Sequence, residues 1–244
     1  MLFRLIAAVV PIVIAQLALA QPTPPLPPRR PAEAPAAAAQ PEVPSPAKAD
    51  AQPAAQAVDT CLAGLKAAGF DVEPAEPPQV SNELCRIEVP VRLKAVPVPT
   101  KHETVVRLTQ QPLLACRFAD RFGRWLGDLV APLVVGIKGS GLKAVHTGPG
   151  FECRNRNRSA TGKLSAHAEG LAIDIAGFEF ANGSTLRIGS EVGAAPDPAL
   201  AALRTAACGW FTTILGPGSD EAHHDHLHVD IQQHGSSGNY RICQ

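Results

Sequence analysis

The sequence of 244 residues has no surplus of charge, because 22 lysine and arginine residues balance 22 aspartate and glutamate residues. A general nucleic-acid-binding protein normally carries a basic surplus, so we expect no nucleic-acid partner. No two cysteines have Cys-x-x-Cys spacing, which disfavours a cysteine zinc cluster and a thioredoxin-like redox site. These absences exclude classes of function but say nothing about the fold.

A long hydrophobic run is also missing, since the apolar stretch at residues 5–17 is shorter than the roughly 20 residues of a membrane span. Arg4 precedes this stretch, and the chain then reads Ala-Leu-Ala up to Ala20, the small-x-small pattern of a cleavage site. We therefore predict a secretory signal over residues 1–20, cleaved after Ala20; the alternative is an uncleaved anchor. The mature protein is expected to be periplasmic or secreted, with no membrane association.

Proline and alanine dominate the next segment, residues 21–56, which holds 11 of each but no cysteine, glycine or aromatic residue. Such a segment cannot bury enough apolar surface to offset the entropy of ordering it, so we predict a disordered tether. The folded part is then one domain over residues 57–244, expected to be a monomer.

All six cysteines lie inside this predicted domain. An even number of cysteines in an exported chain indicates three disulfides. The sequence does not choose among the possible pairings. The pairs that we favour are Cys61–Cys85, Cys116–Cys153 and Cys208–Cys243.

Hydrophobic periodicity predicts an α+β domain with a small antiparallel sheet and flanking helices. An Asn-Gly pair at 182–183 indicates a hairpin between two of the strands. The predicted helices are a short one within residues 57–75 that stops at Gly69, one over 110–134 and one over 198–215. The predicted strands cover residues 87–96 (an edge or irregular strand, because of Pro90), 142–148, 171–180, 185–189 and 226–231.

Four of the eight histidines lie in one run, at positions 223, 224, 226 and 228. Alternate residues of a strand share a face, so His226, His228 and Asp230 would lie on one side and the apolar residues between them in the core. Two imidazoles side by side indicate a metal site, because neutral imidazole is a favoured zinc ligand. Asp230 would then orient a ligand histidine.

A second polar group lies in the segment SAHAEGLAIDI, residues 165–175. Asp174 falls on the face opposite the apolar residues of its strand, where a carboxylate is costly unless it is paired or bound to a metal. His167, Asp174 and His228 would give three ligands and leave an open position, the pattern of a catalytic rather than a structural zinc site. The alternative is a plain hydrogen-bonded pair of His167 with Asp174.

These segments resemble the motifs of a known group of enzymes. SAHAEGLAIDI is similar to the S-x-H-x-x-G-x-A-x-D motif of the LAS metallopeptidases, and HLH at 226–228 is similar to their C-terminal H-x-H. This group includes D-alanyl-D-alanine carboxypeptidases, peptidoglycan endopeptidases and the Hedgehog signalling domain. The region from about residue 57 to the end also resembles the bacterial extensin-like C-terminal family. The resemblance implies a LAS/Hedgehog-like core, which here would span about residues 142–231.

The resemblance also implies chemical roles. The three residues grouped above would bind Zn²⁺, and His226 would take a proton from the attacking water. Some relatives use an acidic base three residues before the last ligand, which is Asp225 here; strand alternation favours His226. His223 would line the site and contact the substrate.

The segment GFECR at 150–154 is similar to the S-G-Y-R-S segment that precedes the first ligand motif in this group. By that match Arg154 lies near the site, where a guanidinium can hold a substrate carboxylate or stabilise a tetrahedral oxyanion. Cys153 interrupts the motif, and Arg156 and Arg158 follow closely, so the choice of arginine stays open, with Arg156 a second substrate-binding candidate. Ordinary roles are expected for His102, His146, His224 and His234.

The sequence therefore predicts an exported zinc peptidase that acts on peptidoglycan stem peptides or cross-links. Carboxypeptidase and endopeptidase activity both remain open. One alternative is a non-catalytic module that keeps the zinc-site scaffold and binds cell-wall material. Another is a disulfide-held structural protein without a metal.

Overall fold

The computed structural model describes residues 52–98, 105–189, 197–236, 238 and 240–244. The predicted signal, the tether up to residue 51 and His102 lie outside the described residues. The first described helix, α1 (Gln52–Ala67), begins inside the range predicted for the tether. Helical structure therefore starts before residue 57, where the sequence placed the start of the domain.

The described residues form one ten-stranded sheet. Its strands are β1 (Asp71–Pro74), β2 (Pro90–Pro97), β3 (Val105–Leu108), β4 (Leu113–Ala115), β5 (Leu142–Thr147), β6 (Ala172–Phe180), β7 (Thr185–Arg187), β8 (Thr213–Leu215), β9 (Leu227–Asp230) and β10 (Ile242–Cys243). They are ordered β1-β2-β3-β5-β6-β9-β8-β10, with β4 paired to β2 and β7 to β6. The pairs β3–β5 and β8–β10 are parallel, and the other pairs are antiparallel.

The α+β class is confirmed, but the sheet is neither small nor purely antiparallel. The strands that the sequence missed have only two to four residues, too few for an alternating pattern to show. β2 is also internal rather than an edge strand, since it pairs with β1 on one side and with β3 and β4 on the other. Pro90 is accommodated because it is the first residue of β2.

The longest helical stretch begins later than predicted. It consists of α2 (Cys116–Arg124), a π-helical turn at Trp125–Val130 and α3 (Ala131–Lys138). The residues before it form β4, whose last residue, Ala115, donates its backbone N–H to Gly170 O at 2.9 Å. Pairing of these apolar residues with β2 replaces the first predicted turns of the helix.

The last predicted helix ends early, whereas the first ends at the predicted glycine. Helix α4 (Pro198–Ala207) stops before residues 213–215, which form β8 beside β9 because β-branched Thr213 and Ile214 suit a pleated surface. Helix α1 ends before Gly69, whose φ of 81° turns the chain into β1. No helix in the part of the chain that the structure describes is long and apolar enough to cross a membrane.

Three disulfides join the six cysteines, and two of the favoured pairings were wrong. The bonds are Cys61–Cys116, Cys85–Cys153 and Cys208–Cys243. The sequence-based choice paired near neighbours, whereas the fold brings together residues 55 and 68 positions apart in the first two bonds. Three disulfides are typical of a protein in an oxidising extracellular or periplasmic environment.

The core is packed between the helical stretch and the sheet, with α2 against β2 and α3 against β5. Its centre is a cluster of fully buried aromatic rings whose centroids lie 5.3–6.2 Å apart. This packing holds the helical stretch against the sheet that carries the polar residues predicted for the site. The rings belong to Phe118, Phe122, Trp125 and Phe211.

Removing one of these rings should cost far more stability than removing an exposed side chain of the same helical stretch. Phe122 is 0% exposed and Ile137 is 44% exposed. We expect Phe122→Ala to lower the free energy of unfolding by about 3–5 kcal/mol. The control Ile137→Ala should change it by about 0.5 kcal/mol or less. Urea unfolding with intact disulfides measures both, and equal effects would contradict the assigned core.

Candidate metal and catalytic site

His167 is positioned by a short 3₁₀ turn, Ala166–Glu169. The Ser165 hydroxyl accepts from the His167 backbone N–H, and Gly170 ends the turn with a φ of 65°. A Cβ on Gly170 would lie 2.7 Å from the backbone nitrogen of Ala115, so the close approach to β4 needs a glycine as well. The turn therefore holds a buried imidazole at the start of β6.

Asp174 and His228 are brought together by the antiparallel pairing of β6 with β9, in which they are directly opposite each other. Side chains of directly paired residues project from the same face of a sheet. Leu227 and Val229 enter the core on the other face, so the predicted alternation of β9 is confirmed. His167 is added from the turn that precedes β6.

One ligand atom from each of these three residues meets at one point. His167 Nε2 lies 3.2 Å from Asp174 Oδ1 and 3.2 Å from His228 Nδ1. The distance between His228 Nδ1 and Asp174 Oδ1 is 2.9 Å. Among the described residues, His167, Asp174 and His228 form a group that could hold a metal ion. His167 and His228 are buried and Asp174 is half-buried.

The remaining nitrogen of each of these two histidines is held by a hydrogen bond. His167 Nδ1 donates to the carbonyl of Gly150 at 2.6 Å. His228 Nε2 donates to Asp230 Oδ2 at 3.1 Å. Such contacts fix the orientation of an imidazole and decide which nitrogen faces a metal. Asp230 thus has the orienting position that the sequence indicated.

Opposite charges stabilise one another inside this cluster. Burial would raise the pKa of Asp174, but hydrogen bonds from His167 and His228 outweigh burial and lower it far below its usual value. Burial would lower the pKa of His228, but its hydrogen bonds to Asp174 and Asp230 outweigh burial and raise the pKa to about 9. At neutral pH, His228 without a metal is therefore an imidazolium between two carboxylates.

His226 stands beside this group, with its Nε2 3.6 Å from Asp174 Oδ1. Its other nitrogen, Nδ1, donates to Asp225 Oδ1 at 2.9 Å. Strand β9 begins at Leu227, so both Asp225 and His226 precede it and strand alternation does not decide between them. The Asp225 side chain is 66% exposed and contacts the imidazole of His226. The structure thus places His226 beside the cluster, while Asp225 binds the other nitrogen of its ring.

His223 adds a further buried imidazole, with ring centroids 5.2 Å from His226 and 5.6 Å from His228. Asp220 accepts from the His223 Nδ1 at 2.6 Å and from its backbone N–H at 3.1 Å. Burial and the neighbouring His228 lower the pKa of His223 although Asp220 acts in the opposite direction. His224 is exposed, and its Nδ1 donates to the carbonyl of Glu221 at 2.8 Å.

Arg154 is the arginine closest to the ligand set. Its Nη2 lies 3.8 Å from Asp174 Oδ2, and its Nε donates to Glu152 Oε2 at 2.6 Å. Arg158 is mostly exposed and binds the same carboxylate of Glu152 through both terminal nitrogens. Arg156 donates to the Gln232 side chain at 2.5 Å. The segment that carries Arg154 is held in place by the Cys85–Cys153 disulfide. It also pairs through Asn155 with Leu164, just before the turn of His167.

A pocket of about 150 Å³ opens beside His228. Its wall contains both Arg154 and Arg156, together with His223 and residues of the C-terminal segment. Sequence analysis assigned no role in this region to four further residues, because no motif marks them. These residues are Glu152, Thr213, Asp220 and His234.

Comparison with known proteins gives the family of the chain. Residues 59–244 match the family described as extensin-like protein C-terminus. The chain belongs to this family. The extensin-like region includes every site residue described above. No curated protein and no solved structure matches the chain. The LAS/Hedgehog-like core therefore stays a prediction from motifs.

The contact between Gly150 and His167 gives a sharp test of how the site is held. Gly150 has a φ of 84°, and a Cβ there would lie 2.4 Å from Leu113 O. Gly150→Ala must shift the carbonyl that orients His167, so we expect a changed ¹⁵N shift of the His167 imidazole and a loss of about 1–3 kcal/mol of stability.

Gly148 provides the matched control, because its Cβ would meet nothing closer than Asp174 Cβ at 3.6 Å. Gly148→Ala should leave the His167 signals in place. Unchanged His167 signals in Gly150→Ala would show that the carbonyl does not set the ring.

Proposed function

We propose that this protein is an exported zinc peptidase that acts on stem peptides or cross-links of peptidoglycan. The convergence of His167, Asp174 and His228 carries the proposal. The oxidising environment that the disulfides indicate fits a substrate in the cell envelope. The choice of peptidoglycan rests on the resemblance of the ligand segments to the LAS metallopeptidases.

The donor set fits zinc by its chemistry and its spacing. Two imidazoles and one carboxylate are the kind of three-residue set that catalytic zinc sites use. Ligand atoms about 2.0–2.1 Å from a tetrahedral zinc are separated by about 3.3 Å, close to the 2.9–3.2 Å between these atoms. Zinc bound by these residues would polarise the scissile carbonyl and lower the pKa of water.

His226 is the residue best placed to move a proton. Its Nε2 faces the ligand cluster, while Asp225 accepts from Nδ1 and keeps the ring in this orientation. An imidazole held in this way can take a proton from attacking water and return it to the leaving amine. Asp225 would then act through His226 and not as the base itself.

Arg154 and the neighbouring pocket would bind the substrate. The Arg154 guanidinium is only 17% exposed and held by Glu152, so it offers a fixed positive charge beside the ligands. Such a group holds a carboxylate or an oxyanion with little loss of entropy. Arg156 and His223 line the same pocket and would contact the rest of the peptide.

Substitution of a ligand and of the proposed base should separate metal binding from catalysis. We expect wild-type protein to bind one zinc and to release peptide products from purified sacculi. His228→Ala should lose both properties. His226→Ala should keep zinc but lose about a hundredfold or more in turnover, the usual contribution of general base catalysis.

Exposed His224 provides the control, and His224→Ala should behave like the wild type. Muropeptide chromatography and metal analysis give the readouts. Wild type that binds zinc and sacculi but releases no product would support the non-catalytic module instead. Wild type that binds no zinc would reject both readings and leave a disulfide-held structural protein.

Zinc affinity should also depend on pH in a defined direction. Because the pKa of metal-free His228 is raised to about 9, zinc must displace a proton from its Nδ1 at neutral pH. The apparent affinity should rise by about tenfold per pH unit from neutral pH and level off above about pH 9. Chelator-buffered titrations measure the slope, and an affinity independent of pH would contradict the raised pKa.

A further inference from the structure

Two carboxylates lie within reach of the guanidinium of Arg154, but it is hydrogen-bonded to only one of them. Its Nε donates to Glu152 Oε2 at 2.6 Å, whereas its Nη2 lies 3.8 Å from Asp174 Oδ2, beyond hydrogen-bond distance. Asp174 belongs to the proposed ligand set, and a guanidinium bonded to it would take up the negative charge that attracts a cation. The position in which Arg154 is held therefore matters for the site.

The backbone of Glu152 is fixed beside the turn that carries His167. The Glu152 N–H donates to His167 O at 3.2 Å, and the Ser165 N–H donates to Arg154 O at 3.0 Å. Cys153, which lies between Glu152 and Arg154, is part of a disulfide. The Glu152 side chain therefore extends from a fixed point next to Arg154.

Arg158 binds the same carboxylate. Both terminal nitrogens of Arg158 donate to Glu152, at 2.5 and 3.0 Å. Arg158 does so from a tight loop in which Asn157 and Arg158 have φ values of 51° and 54°. Asparagine is common in this left-handed region, but an arginine there is uncommon and carries strain that its surroundings must balance. The two bonds to Glu152 are contacts of this kind.

This arrangement contributes little to stability. The Arg158 side chain is 69% exposed, and ion pairs with an exposed partner add little to the free energy of unfolding. The chain nevertheless keeps two left-handed residues in the loop, and Asn157 lines the pocket beside His228. Strain that is kept beside a pocket supports a role in the site rather than in folding.

We propose that Glu152 is a positioning residue, which holds Arg154 off Asp174 and leaves that carboxylate free to bind a metal. The inference rests on the proposed function in so far as it treats Asp174 as a metal ligand. Without Glu152, the guanidinium could close the remaining distance and form a charge-assisted hydrogen bond with Asp174. The positive charge of Arg154 would also lose its partner, and it would then repel a cation bound nearby.

Variants of Glu152 and of a matched ion pair separate this role from a general effect of charge. Glu152→Ala removes the acceptor, and Glu152→Gln keeps the shape but removes the negative charge. Glu179→Ala is the control. The Glu179 side chain is 28% exposed against 32% for Glu152, and it pairs with Lys143 at 2.7 Å on neighbouring strands.

Two readouts are needed, one of them without metal. In metal-free protein, the Nε–H resonance of Arg154, assigned by its loss in Arg154→Lys, reports the bond to Glu152. We expect it to move toward the position of a free arginine in Glu152→Gln and to exchange rapidly with water in Glu152→Ala. Zinc titration with a competing chelator should show about tenfold weaker binding in Glu152→Ala. Glu179→Ala should match the wild type in both measurements.

The outcomes distinguish this inference from the proposed function. Wild type that binds no zinc would end the proposed function, while the Arg154 resonance would still decide whether Glu152 holds the guanidinium. An unchanged resonance in Glu152→Ala would overturn the inference. Wild-type zinc affinity in Glu152→Ala would also overturn it, since Arg154 would then not compete for Asp174.

Discussion

The pairing of β6 with β9 is the constraint on which the site depends. It places Asp174 opposite His228 and sends the intervening apolar residues of β9 into the core. A shift of one residue would reverse every side chain of β9, bury the histidines among apolar residues and expose Leu227 and Val229. The hydrophobic core and the polar cluster therefore select the same register, and neither can change without the other.

The segments around this strand pair are held by constraints from far along the chain. The turn of His167 needs the glycine at 170 to approach β4, and the carbonyl of Gly150 reaches His167 because residues 149–151 bond to Leu113. The Cys85–Cys153 disulfide fixes the next residues, which include Arg154. Strand pairing thus brings Asp174 and His228 together, whereas the orientation of the imidazole rings depends on contacts with distant segments.

This division explains what the sequence could predict. The alternation in β6 and β9 is strong enough to place Asp174, His228 and Asp230 on the polar side of the sheet before the fold is known. His167 precedes β6 and was chosen from the segment around Gly170 and from its resemblance to a motif. Cysteine pairing could not be assigned in this way, because the partner of Cys85 is 68 positions away and lies in a loop whose place beside the His167 turn no local pattern encodes. The contact between His234 and Thr213 could not be predicted either, because Thr213 lies on a three-residue strand that no periodicity reveals.

The four imidazoles of the site differ in how firmly they are held. The two proposed ligand histidines, His167 and His228, donate hydrogen bonds to a backbone carbonyl and to a buried carboxylate. These bonds are costly to break, because the buried acceptors cannot reach water instead. The partners of His223 and His226 are the exposed side chains of Asp220 and Asp225, which can exchange these hydrogen bonds for water at a lower desolvation cost. Under the proposed function, firmly held rings at the ligand positions would preserve the metal geometry, while a less firmly held ring beside them could follow the substrate as it transfers a proton.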